Sequence, residues 1–133
     1  MRRFRYLALA ALTLLVANCS SSSGNGGGPV PGFLTLTLST PNANDGAVLL
    51  KVQGGTIDSV VGGAMVASGS YVINPTFTRV VAAGTIVDGI IAKIHVPDVG
   101  LAASYSATVE QASIRTAPFT QQSLTGYSIA ITH

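Results

Sequence analysis

Residues 34–38 alternate strictly, with Leu34, Leu36 and Leu38 on one side and Thr35 and Thr37 on the other. The same period returns along the chain. Val48, Leu50 and Val52 alternate with Leu49, Lys51 and Gln53, and Ile90, Ala92, Ile94 and Val96 with Ile91, Lys93 and His95. Tyr105, Ala107 and Val109 alternate with Ser106, Thr108 and Glu110, and Tyr127, Ile129 and Ile131 with Ser128, Ala130 and Thr132. Successive side chains of a strand point to opposite faces, so each stretch predicts a half-buried strand. Three further segments, 56–61, 71–73 and 76–82, are β-branched or aromatic, which suits a pleated surface.

Turn chemistry separates these runs. Pro41-Asn42-Ala43-Asn44-Asp45-Gly46 predicts a turn, with Asp45-Gly46 entering the next strand. Gly54-Gly55, Gly62-Gly63, Asn74-Pro75, Ala83-Gly84 and Pro97-Asp98-Val99-Gly100 predict the other breaks. No stretch carries a sustained helical stripe. The pattern predicts about eight or nine short strands in an antiparallel β-sandwich over residues 32–133. Lys51, Lys93 and Glu110 fall mid-strand and are read as charges that protect sheet edges. An outer-membrane barrel also alternates, but six aromatics after Cys19 and no Trp give it no aromatic girdles.

The N-terminus has a different pattern. A basic start, MRRFR, precedes an apolar run over residues 6–17. That run is short of the ~20 residues a membrane-spanning helix needs and has the anatomy of a signal-peptide core. Val16-Ala17-Asn18-Cys19 follows, and it resembles a bacterial lipobox. The resemblance implies a lipoprotein-type signal peptide over 1–18, lipidation of Cys19, and anchoring to the cell envelope. Ser20 after the cysteine implies the outer membrane. The alternative is ordinary secretion, since Ala17-Asn18-Cys19 also loosely fits a small-x-small cleavage site. Residues 19–31 then read as the anchor residue and a Ser/Gly/Pro linker.

Charge changes meaning once that segment is set aside. The whole chain carries seven Lys and Arg against five Asp and Glu, a net +2. Arg2, Arg3 and Arg5 supply three of the bases; from Cys19 onward four bases face five acids, a net −1. No basic cluster remains to neutralise a run of phosphates, which argues against nucleic acid as a partner.

The strand beginning Asp45-Gly46-Ala47-Val48-Leu49-Leu50-Lys51-Val52, with Thr56-Ile57-Asp58-Ser59-Val60 after it, resembles the opening of a cohesin-like sandwich. Asp88-Gly89-Ile90-Ile91-Ala92-Lys93-Ile94-His95-Val96 resembles the strand before the closing hairpin of such modules. The chain is also similar to small uncharacterised envelope lipoproteins with cohesin-like or immunoglobulin-like domains.

Candidate chemistry is sparse. The single cysteine excludes a disulfide scaffold, and with two histidines it does not close a tetrahedral zinc shell. His95 is the internal histidine and is read as a solvent-facing strand residue; a hydrolase would need it beside an Asp and a Ser in a cleft. No Gly-x-Ser-x-Gly elbow and no phosphate loop occur. Asp45, Asp88 and Asp98 are read as turn residues that bond their local backbone. Asn42, Asn44 and Asp45 are the one local oxygen cluster, without the distal Glu of an EF-hand. Tyr71, Tyr105 and Tyr127 are read as core or edge residues with hydroxyls at water, one of them a candidate tyrosine corner.

The resulting expectation is a non-enzymatic interaction or structural module of the envelope, with no cofactor or metal, held to the membrane through Cys19 and free to meet an envelope protein. The alternative is a glycan or small-ligand module. It requires a concave patch holding two or more of Tyr71, Phe77, Tyr105, Phe119 and Tyr127.

Overall fold

A computed structural model describes residues 27–133 apart from Met65, Pro75 and Thr76. The predicted signal peptide, Cys19 and the linker up to residue 26 lie outside the described residues. Among the described residues eight strands form: β1 (Gly32–Ser39), β2 (Asp45–Gln53), β3 (Ser59–Gly62), β4 (Val66–Asn74), β5 (Phe77–Ile86), β6 (Gly89–Val96), β7 (Ser106–Ile114) and β8 (Ser128–Thr132). A short 3-10 turn, Val99–Ser104, links β6 to β7. One sheet has the order β3-β6-β1-β8 and the other β4-β5-β2-β7. Every pairing is antiparallel. The expected all-β sandwich is therefore the fold.

The alternation of β1 and β2 sets the core. Leu34, Leu36 and Leu38 meet Val48, Leu50 and Val52 between the sheets, all at 2% exposure or less. Val80, Ala82 and Ile86 of β5 and Ile94 and Val96 of β6 complete the layer. Burying each large aliphatic contributes roughly 1.5–3 kcal/mol, so this layer holds the sheets face to face.

β6 departs from its expected phase. Leu36 pairs with Ala92 but Thr37 pairs with Ile90, which leaves Ile91 as an extra residue. The bulge turns both Ile91 and Ala92 inward and leaves Ile90 51% exposed. A second bulge lies on β7, where Leu49 pairs with Gln111 and Leu50 with Val109, so Glu110 is the extra residue. The expected break at Ala83-Gly84 does not occur. β5 runs through it to Ile86, with Gly84 at φ 140° opposite the irregular start of β2.

The edge reading is also corrected. Lys51 and Lys93 lie on β2 and β6, which are interior strands. Of the three expected guards, Glu110 alone lies on an edge strand, and its Oε2 accepts from Arg79 Nε at 2.7 Å.

Candidate functional site

Because Val48, Leu50, Val80 and Ala82 point into the core, their neighbours point out of the β4-β5-β2-β7 sheet. Register assembles these neighbours into rows. Tyr71, Arg79, Lys51 and Thr108 form one row. Gly69, Val81, Leu49 and Gln111 form the next, and Ala67, Ala83, Ala47 and Ser113 a third. The first row is bulky and charged. The other two are small or aliphatic, so the sheet dips beyond Tyr71.

The far wall comes from the chain after β7, which folds back on its own strand. Ile114 N donates to the Thr120 carbonyl at 3.0 Å, and Gln122 N to the Ala112 carbonyl at 2.7 Å. Phe119, at φ 56°, projects from this segment with 65% of its surface exposed. A side chain other than Gly in the left-handed region is disfavoured by about 1–2 kcal/mol, so the fold around Phe119 offsets a local cost. The result is an open groove of about 430 Å³ lined by Ala47, Leu49, Tyr71, Val81, Gln111, Ser113, Phe119 and Gln121. A second groove of about 380 Å³, towards Gly84, Thr85 and Arg115, shares Ala47, Ser113 and Phe119. Phe119 therefore stands over both.

The lining is apolar with amide and hydroxyl groups and no charge. Arg115 lines the adjoining groove, and an ion pair sits one row away on the other side. There the Arg79 hydrogen bond holds the Glu110 carboxyl below the usual carboxylate range, while Glu110 raises Arg79. Lys51 Nζ lies 4.8 Å and Arg79 Cζ 5.6 Å from the Phe77 ring centroid.

Of the five candidate aromatics, Tyr71 and Phe119 share the groove. Tyr105 and Tyr127 pack in or against the core, and their hydroxyls hydrogen-bond within the protein. Tyr105 donates to the Thr56 carbonyl at 2.9 Å, and Tyr127 reaches both Asp45 oxygens at 2.7 Å. Neither is a tyrosine corner, since neither bonds backbone a few residues upstream.

The carboxylates also need correction. Asp45 is 0% exposed and is not a local turn residue. Thr40 Oγ1 donates to it at 2.5 Å and Gln122 Nε2 at 3.3 Å, alongside Tyr127. Asn42 Nδ2 donates to the Tyr127 hydroxyl at 2.8 Å, and Asn44 Oδ1 accepts from Gln122 at 3.2 Å. The local oxygen cluster is thus spent on tying the β1–β2 turn to the segment that leads into β8. Asp88 accepts from Thr40 N at 2.6 Å, also across the fold. Asp98 behaves as expected, accepting from Gly100 N at 2.9 Å, and it additionally takes Val30 N at 3.3 Å.

His95 faces outward from β6, half-buried. Its Nδ1 is 3.0 Å from Asp58 Oδ2, and Phe33 packs edge-on at 5.1 Å. Among the described residues no serine hydroxyl hydrogen-bonds to it. No known protein family, curated protein or solved structure matches the chain.

Proposed function

We propose that the chain is an exported, non-enzymatic interaction module of the cell envelope, tethered to the outer membrane by a lipid on Cys19. In this reading the linker spaces a sandwich of cohesin-like or immunoglobulin-like type from the membrane. The outer face of the β4-β5-β2-β7 sheet is its contact surface. The observation that carries the reading is the groove between Tyr71 and Phe119. An aromatic that is 65% exposed, on backbone that disfavours it, contributes little to the core and much to a contact.

The test is affinity capture from envelope extract, with the native chain beside Phe119→Ala and Leu101→Ala. Leu101 is 58% exposed and lies on the 3-10 turn, away from the groove. A protein retained by the native chain and by Leu101→Ala, but lost with Phe119→Ala, supports the proposal. Equal retention by all three refutes it. One observation favours a second reading, a glycan module: the groove joins two aromatic rings to Gln111, Ser113 and Gln121 without a charge. Binding of a neutral oligosaccharide that depends on Tyr71 and Phe119, with no captured protein, would select that reading.

A further inference from the structure

The four edge strands are not equally guarded. β3 has four residues and β8 five, which leaves a short template for any added strand. β7 is covered along its end by the returning segment, through the Ser113–Gln121 bridge and the bonds at Ile114 and Ala112. β4 has nine residues, VASGSYVIN, with no charge and no proline. Its first part is shielded, because Gly62 of β3 lies close against the Val66 carbonyl and the Ser68 amide. From Gly69 to Asn74 the edge is unpaired in its sheet among the described residues, with a bulge at Ile73 near its end. This is also where Tyr71 is 46% and Val72 66% exposed.

An unpaired backbone edge accepts one kind of occupant, another extended strand. We infer that the free part of β4 pairs antiparallel with β4 of a second copy of this chain, joining two four-stranded sheets into one. The occupant is a copy because the edge is self-complementary. Around a two-fold axis, residues near the axis meet themselves, so a charge there would face its like. β4 has none. With the axis at Tyr71, the two tyrosines oppose each other on the outer face and Ser70 opposes the copy's Val72. Each ring also lies diagonal to the copy's Gly69, where no heavy atom lies within 4 Å of a would-be Cβ. Aromatic cross-strand pairs and aromatic cover of a strand glycine both favour such a register. The pairing would place the two grooves side by side, although it does not depend on what the groove binds.

The test uses the full-length chain in membranes, with Tyr71→Cys, Ser106→Cys and the unaltered chain under mild oxidation. Directly opposed strand residues have Cα atoms about 4.5–5.5 Å apart, within disulfide range. The expected result is a disulfide-linked dimer from Tyr71→Cys. Ser106→Cys, on the opposite edge of the same sheet, and the unaltered chain, whose one cysteine is Cys19, should give several-fold less. Sedimentation of the full-length chain in mild detergent supplies the second measurement. The native chain and Tyr71→Phe should be dimeric, and Tyr71→Lys monomeric with an unchanged circular dichroism spectrum. A monomeric native chain, a dimeric Tyr71→Lys, or equal crosslinking from Ser106→Cys would overturn the inference.

Discussion

Replacing Tyr127 by Phe removes one oxygen and leaves the ring in place. That oxygen lies 2.7 Å from both carboxyl oxygens of Asp45 and accepts from Asn42 Nδ2 at 2.8 Å. Asp45 is 0% exposed, so water does not simply take over the lost donor. Thr40 Oγ1 at 2.5 Å and Gln122 Nε2 at 3.3 Å remain, the second of them long. A buried acceptor left short of a donor costs about 1–3 kcal/mol, and about 2 kcal/mol is the working value here. For a domain near 100 residues, each kcal/mol lowers Tm by about 4–8 °C, so the expected fall is about 8–16 °C. Tyr105→Phe removes a single bond to a neutral carbonyl and should cost about 1 kcal/mol. The assay is thermal unfolding of both variants at neutral pH. A Tyr127→Phe loss of less than about 2 °C, or a loss smaller than that of Tyr105→Phe, would refute the view that Asp45 is a buried polar hub.

Leu36→Ala, at a fully buried position in the central strand β1, should cost about 2–5 kcal/mol in urea unfolding with the m-value unchanged. Gly54→Ala should also destabilise, since Gly54 holds φ 116° and an added Cβ would collide with the Ser104 carbonyl, again read as a lower urea midpoint. Phe119→Gly should leave Tm level or raise it, because Gly takes φ 56° freely and the ring is mostly exposed; a clear fall would show the ring to be structural. Burial raises the Tyr127 phenol, helped by Asp45, and burial raises Tyr105, helped by Asp58 and Asp98. A raised folded value favours the protonated phenol in the fold. That contribution is complete below the ordinary value of 10.0 and is lost as pH climbs through the folded values. The urea midpoint should therefore fall above pH 10, less steeply in Tyr127→Phe.

Period-two alternation was enough to read five strands and the inward faces of β1 and β2, because β1 and β2 each keep one phase against the core, whereas β3, β4 and β5 were legible only in part, from β-branched and aromatic content. It failed at Ile91, where a bulge reverses the phase; bulges depend on the partner strand, and one strand's own pattern does not contain them. It failed at Asp45 for a similar reason. A carboxylate followed by Gly in a turn is ordinarily local, and its partner Tyr127 lies 82 residues away. The candidate site was half legible. Tyr71 and Phe119 could be named among five candidate aromatics, but nothing in the sequence set them apart from Phe77, Tyr105 and Tyr127. Their juxtaposition depends on the register of β4, β5, β2 and β7 and on the fold-back after β7, both set by tertiary pairing.

The central claim is that the groove face is where this module meets its partner. Site-specific photo-crosslinking in intact cells tests it most directly. A photoreactive side chain replaces Phe119 in the full-length chain, and a second variant carries it at Leu101. The account predicts a discrete adduct from position 119 and none from 101. A discrete adduct from position 101 alone, or identical products from both, would contradict it.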